Sequence, residues 1–344
     1  QRVKRTILAR FTLFFTQSLS RTRVNNRGFD LFYGMKAGGR DYFYNEKKSD
    51  RPGDERNLLL NDRQVKFEKY LTDAFSEKAV EFINESSQPF MMYLAYNAVH
   101  TPMQATDEDM AKFEGHPRQK LAAMTYALDR GVGTVIRGLK DSGKFDNTLI
   151  FFLSDNGGAT TNQSSNYPLK GFKGNKFEGG HRVPYFVVWK NGIPAGKPYD
   201  GLVSSLDIFA TAIDAASISK TRNRLDGVSL LPYLKGKKGE PHKVLYWRKM
   251  DTRAIRSGDY KLIITHGVDS VLYNIRRDPE EMNNLINKEP DLYRKLAKKL
   301  AKWEKNECIE PSWLEEGWRK ITNRYHQQLM HNEIKTAQDL YKKK

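Results

Sequence analysis

The chain predicts an α/β fold: a mainly parallel sheet flanked by helices, with a smaller C-terminal antiparallel sheet and helices after it. Three observations predict this. Short, wholly apolar runs at residues 90–96 and 149–153 follow helical stripes, the pattern of strands covered on both faces. Each run ends in a polar loop, as ligand-bearing ends of parallel strands do. After residue 240 the texture changes to four short strands separated by tight turns, and 344 residues suffice for a full core.

Residues 25–61 carry Gly28, Gly34, Gly38 and Gly39 among Asn, Tyr and charged residues, so no period survives. They read as a long surface excursion anchored by Phe29, Phe32 and Tyr33. Residues 64–85 place Val65, Tyr70, Leu71, Phe75, Ala79, Phe82 and Ile83 on one helical face, with Asp73 and Glu77 among the polar positions. The strand at 90–96 runs into Asn97-Ala98-Val99-His100-Thr101-Pro102. A second helix over 110–140 carries a stripe of Leu121, Met124, Leu128, Val132, Val135, Ile136 and Leu139, Gly143 closes it, and the strand at 149–153 follows. Residues 183–189 predict a further strand and 206–216 a helix. Pro232, Gly236 and Gly239 mark a basic loop. Residues 244–247, 254–255, 260–265 and 271–273 predict the antiparallel sheet, within a subdomain of residues 240–290. Helices at 291–304 and 314–339, packed down by Trp303, Trp313 and Trp318, form a basic tail that ends in a solvated Lys342-Lys343-Lys344.

Lys and Arg total 58 against 41 Asp and Glu, and the net charge of +17 draws anions. The cations are spread along the chain without aromatic interleaving, zinc-finger spacing or a helix-turn-helix pattern, so no nucleic-acid partner is expected. Cys308 stands alone, which excludes an internal disulfide framework. No run reaches the roughly 18 apolar residues that span a bilayer. Residues 1–23 do not read as an intact secretion signal. A periplasmic or extracellular location is expected if a leader precedes Gln1.

The chemistry concentrates at two places. Asp155-Asn156, followed by Gly157-Gly158 at the end of an apolar run, offers two adjacent oxygen ligands of the kind calcium or magnesium prefers. The same residues also suit a helix cap and a turn. Between Pro168 and Pro184 the chain supplies Lys170, Lys173, Lys176 and Arg182 among Gly171, Gly174, Gly179 and Gly180, a combination that can surround a multi-oxygen anion. Lys173 is the compact charge best suited to an anion's oxygens; a flexible basic surface loop is the alternative. His100, just past a strand and before Thr101-Pro102, can carry a proton to a departing alcohol or serve as a structural histidine. No Gly-x-Ser-x-Gly elbow supports an ordinary esterase.

Taken in order, residues 26–34 (Asn26-Arg27-Gly28-Phe29-Asp30-Leu31-Phe32-Tyr33-Gly34), 97–102, 152–158, 168–184, 254–262, Leu272-Tyr273-Asn274 and Asp278-Pro279-Glu280 resemble the type I, formylglycine-dependent sulfatases of the alkaline-phosphatase-like superfamily. The resemblance implies a sulfuric ester hydrolase that releases sulfate from a monoester, expected on a sulfated saccharide. It implies Asp155 and Asn156 as ligands of Ca2+, Lys173 as a sulfate contact and His100 as donor of the leaving-group proton. Lys170, Glu178 and Arg182 would bind substrate or support the site. The family's Cys/Ser-x-Pro-x-Arg segment, its early aspartate pair and its Gly-Lys-Trp-His-x-Gly segment have no counterpart in this sequence, so no nucleophile is assigned. The expectation is an N-terminally incomplete member, with residues 1–24 atypical through a shifted frame, 25–235 a partial sulfatase domain, and weak or no turnover. A catalytically inactive, glycan-binding relative and a phosphodiesterase or phosphatase relative are the other two readings.

Overall fold

The computed structural model describes residues 4–9, 28–218, 224–307 and 316–342. They fall into two units, Gln1–Asp146 and Asn147–Lys344. In the first, β1 (Lys4–Ala9), β2 (Leu31–Gly34), β3 (Leu59–Leu60), β4 (Arg63–Gln64) and β5 (Phe90–Ala95) form one sheet in the order β4-β3-β2-β1-β5. β1, inside the stretch the sequence sets apart, pairs in parallel with β2 and with β5, whereas β2, β3 and β4 run antiparallel.

Residues 28–61 are more than a surface excursion. Leu31 to Gly34 is a sheet strand, and Phe32, Tyr33, Met35, Tyr42 and Leu58 are buried. The loop between them closes around Arg40, whose guanidinium donates to both oxygens of Asp50 at 2.7 and 2.8 Å and to the carbonyls of Asp41 and Arg56. Both side chains of that pair are fully buried. A satisfied ion pair fills the place of apolar packing there, and hydrophobic periodicity cannot register it.

Helix α1 (Leu71–Glu85) starts later than its stripe suggests, because the β3–β4 turn uses Asn61 in the left-handed region. It buries Leu71, Phe75, Ala79, Phe82 and Ile83. The helix expected over 110–140 is two: α2 (Asp107–Ala111), capped by the Thr106 side chain, and α3 (Gln119–Asp141). Gly115, at φ +77°, and Pro117, which has no amide donor, separate them. Two α3 glycines, seven residues apart, let α1 approach closely. A Cβ on Gly131 would stand 2.6 Å from Ser76 Oγ, and one on Gly138 would stand 2.8 Å from a Val80 methyl. Gly131→Ala is therefore expected to destabilise the first unit by about 1–2 kcal/mol, the overpacking cost exceeding alanine's better helix propensity. A urea midpoint at or above that of the native chain would contradict this.

The strand β5 is not covered on both faces. Met92 and Leu94 pack into the core with α1, but Met91 and Tyr93 on the other face are exposed. In the second unit β6 (Ile150–Leu153) and β7 (Tyr185–Val188) form an antiparallel pair, with Phe152 and Phe186 likewise exposed. A parallel pairing would need a crossover, usually a full helix, and the connection holds only the single turn α4 (Glu178–His181). The chain returns alongside instead.

After α5 (Asp207–Ala215) and α6 (Leu231–Leu234), the strands β8 (Val244–Lys249), β9 (Thr252–Ser257), β10 (Tyr260–Thr265) and β11 (Asp269–Asn274) build the expected antiparallel sheet, in the order β11-β10-β9-β8. Helices α7 (Pro290–Glu307), α8 (Glu316–Met330) and α9 (Asp339–Lys342) complete the unit. One sheet face, Ile255, Leu262 and Leu272, packs on Leu296 and Leu300 of α7, where Trp303 stacks on Tyr246 at 5.0 Å. The other face, Ala254, Ile263, Val271 and Tyr273, packs on Leu329 and Met330 of α8 and on Phe172 and Phe177. Trp318 is exposed and packs nothing down, while Trp313, Cys308, Lys343 and Lys344 lie outside the described residues. No described helix is long and apolar enough to cross a membrane.

Candidate sulfate-ester site

The turn after β6 and the basic loop are stitched together by backbone. Gly157 N donates to Gly180 O at 3.1 Å, Lys173 N to Gly158 O at 2.9 Å, and Gly158 N to Asn166 Oδ1 at 2.7 Å. Asp155-Asn156 and Lys173 therefore belong to one structural element, not to separate surfaces. The approach is too close for side chains: a Cβ on Gly157 would lie 1.8 Å from Gly179 O. Asp155 is exposed, and Asn156 donates its Nδ2 to Gly157 O at 2.9 Å, which leaves its Oδ1 available to accept.

Those two oxygens have the hardness that calcium or magnesium requires, but a calcium ion takes about six to eight. Among the described residues no group of three or more His, Cys, Asp or Glu is placed to hold a metal. The described residues thus fit part of a coordination sphere.

The loop is fixed from beneath. Phe172 meets Tyr325 edge-on at 5.3 Å, Phe177 tilts against Tyr273, and Gly171, at φ +94°, donates to Lys335 O at 2.7 Å. Lys170 is fully buried. Its ammonium donates to Glu281 O and Asn332 Oδ1 and lies over the rings of Phe177 and Tyr273. Burial, only partly offset by Glu281 and Asp278, brings its pKa down to about 8. Lys170 thus supports the loop and does not present its charge at the surface. Lys173, by contrast, is exposed at the loop's crest.

Glu178 opens α4 and is buried in an ion cluster. Lys261 Nζ lies 2.8 Å from Glu178 Oε1 and 3.1 Å from Glu281 Oε1; Arg256 reaches Glu178 Oε2 at 3.2 Å; and Glu178 N donates to Glu281 Oε2 at 2.6 Å. Burial alone would raise the Glu178 carboxyl, but Lys261 and then Arg256 outweigh it and hold it low. His181 lies 4.5 Å from Trp247, ring to ring, and burial with the nearby Lys261 keeps it neutral. Arg182 is exposed, its guanidinium 3.7 Å from Glu178. Lys261 and Glu281 went unassigned in the sequence, which draws attention to Glu280 instead; Glu280 pairs with Lys335. The one available signal was a lysine at an inward position of an apolar strand, and its partner 20 residues on carries no pattern.

In the first unit His100 follows β5. Its amide donates to Asn97 O, and its Nδ1 lies 2.8 Å from the carbonyl of Thr101, which only accepts. Nδ1 therefore carries the hydrogen and Nε2 is the basic nitrogen. Tyr42 Oη bridges the Asn97 and His100 carbonyls at 2.7 and 2.9 Å. A Cβ on Gly39 would be 3.4 Å from His100 Nδ1, so that loop packs directly on the imidazole.

A parallel-centred α/β unit, an acidic-amide turn bound to a basic glycine loop, and a C-terminal antiparallel sheet are the parts of an alkaline-phosphatase-like fold. The Sulfatase family model matches residues 4–218, and that of the N-sulphoglucosamine sulphohydrolase C-terminal region matches residues 173–306. The chain belongs to the sulfatase family. It is 38% identical over 244 residues to the uncharacterized sulfatase YdeN of Escherichia coli K12, covering 68% of this chain and 42% of that protein. It is 32% identical over 202 residues to the N-acetylgalactosamine-6-sulfatase of Canis lupus familiaris, covering 56% of this chain and 38% of the relative. The crystal structure of Ps i-CgsB in complex with k-i-k-neocarrahexaose superposes with a TM-score of 0.82 at 33% identity, over 94% of this chain and 76% of that one. The chain thus spans about two fifths of the length of these curated relatives.

Proposed function

We propose that this chain carries the sulfate-ester site of a sulfuric ester hydrolase acting on sulfated saccharides. The observation that supports it best is the backbone stitching of Asp155-Asn156 to the loop that presents Lys173, which puts hard oxygens and a compact cation on one element. Lys173 binds sulfate oxygens and stabilises the charge that grows on them. In the first unit, His100, once it has taken up a proton at Nε2 while the Thr101 carbonyl holds its Nδ1–H, is suited to pass that Nε2 proton to a leaving alcohol oxygen. Asp155 and Asn156 contribute two ligands to calcium, which, when bound, supplies further charge neutralisation of the sulfate. Glu178, Lys261 and Arg256 hold the loop, and Arg182 lines its exposed edge. Two relatives support a saccharide substrate: one is named N-acetylgalactosamine-6-sulfatase and another is in complex with k-i-k-neocarrahexaose.

The test is calorimetric binding of a sulfated oligosaccharide and its desulfated form, with calcium present. The native chain is expected to bind only the sulfated form, and Lys173→Ala to weaken it at least about tenfold, the value of a charge-assisted contact. Equal binding of both forms, or no effect of Lys173→Ala, would refute the proposal.

A further inference from the structure

Behind the crest of the basic loop stands a second set of cations that the site described above does not use. Lys249, the last residue of β8, turns its ammonium onto the loop: its Nζ lies 3.4 Å from Gly174 O and would be 3.0 Å from a Cβ on Gly174, the residue after Lys173. Lys176, two positions further along, is half-buried. Lys249 and Lys261 bear on it as like charges, and burial with them brings its pKa down to about 8. Lys249 is itself lowered, by burial and then by Lys173. Lys261 is matched by two carboxylates, but among the described residues neither Lys176 nor Lys249 pairs with one. The adjoining His326 does not compensate them: it is buried and neutral, its Nδ1 donates to Thr322 O at 2.8 Å, and its Nε2 has no partner among the described residues.

Holding two like charges half-buried without a counter-ion costs free energy, and an anion bound beside them recovers it. A loop that needed only one sulfate contact would be more stable with neutral side chains at both positions. We propose that Lys176 and Lys249 form a second anion subsite beside Lys173, so that the ligand of this site carries two anionic groups, such as two sulfates on one sugar or on adjacent sugars. This rests on the sulfated-saccharide reading and narrows it to polyanionic members.

The experiment compares binding of one disaccharide carrying one sulfate with the same disaccharide carrying two, with calcium present, for the native chain, Lys176→Met, Lys249→Met and Lys249→Arg. The native chain is expected to favour the doubly sulfated form by at least about tenfold, as a charge-assisted contact warrants. Either methionine variant should erase that preference while leaving the singly sulfated form within about twofold, and Lys249→Arg should retain it. Methionine removes an unpaired charge, so both variants are expected to melt no lower than the native chain. The native chain alone gives an independent reading, since affinity for the doubly sulfated form should fall more steeply with added salt. Equal native affinity for both forms, equal salt slopes, or methionine variants that weaken both ligands alike would overturn the subsite. Absence of binding by either sulfated form would instead refute the underlying reading.

Discussion

Lys261→Met is expected to destabilise the second unit by about 3–5 kcal/mol, the cost of removing one partner from a buried ion cluster. The lysine is fully buried between Glu178 and Glu281 at 2.8 and 3.1 Å, and without it two interior carboxylates are left with Arg256 and Arg182, 3.2 and 3.7 Å from Glu178, as nearby cations. The loss should be seen as a lowered urea midpoint, and Lys261→Met combined with Glu281→Gln should recover part of it. The cluster also sets a pH dependence. Burial raises Glu281 to about 7, against the pull of Lys261. Its folded pKa therefore exceeds the ordinary 4.5, so its contribution is present below that value and is lost as pH rises towards 7. Glu178 is depressed, so its contribution is present above the ordinary carboxylate value and is lost on acidification. Glu281→Gln should thus flatten the decline in stability between about pH 5 and pH 7 that the raised pKa produces. An unchanged slope, or a Lys261→Met chain as stable as the native one, would remove the cluster from its role.

The cluster matters because Glu178 begins the turn whose glycines receive the Asp155-Asn156 segment. The path runs from Lys261 to Glu178 by an ion pair, along the backbone from Glu178 to Gly180, and from Gly180 to Gly157 by a hydrogen bond, with Phe172 and Phe177 seated on the same sheet. The C-terminal sheet is the platform on which the anion loop is built. Lys173 can be exposed and still held because its neighbours at 170, 172, 177 and 178 are all buried.

Much of this was legible in the residues. The helix faces of α1 and α3, the apolar strands and the four-strand C-terminal sheet follow from period and turn chemistry, which are local. The composition of 154–158 and 168–184 marked both segments of the proposed site, although a cap, a turn or a basic surface loop would carry the same residues. What stayed hidden is non-local. Arg40 with Asp50, and Lys261 with Glu178 and Glu281, pair residues 10 to 83 positions apart, and a charged residue in a sequence looks solvated whether or not a partner awaits it. Lys170 was indistinguishable from Lys173 for the same reason, though one is interior and the other exposed. The antiparallel return of β7 was invisible because an apolar run does not state its direction.

Gly157→Ala is the substitution that should damage the site most directly. Its Cβ would stand 1.8 Å from Gly179 O and 3.2 Å from Gly180 Cα, and the obstacle is backbone, which cannot rotate aside as a side-chain tip can. Gly179 cannot retreat, because its own Cβ position is already 2.7 Å from the carbonyls of Lys170 and Gly171. The turn bearing Asp155 and Asn156 must therefore lift away, breaking the Gly157–Gly180 hydrogen bond and pulling on that from Lys173 to Gly158. The expected cost is about 2–3 kcal/mol of stability, the upper range of overpacking. Binding of a sulfated oligosaccharide should fall further than stability alone dictates, at saturating folded protein, because the two halves of the site separate. Gly317→Ala is the matched control. Its Cβ meets nothing within 4 Å and it lies in α8, so it should leave binding intact and raise stability by up to about 1 kcal/mol. If Gly157→Ala bound the sulfated ligand as tightly as Gly317→Ala, the close seating of the acidic-amide turn on the basic loop would not be what assembles the site.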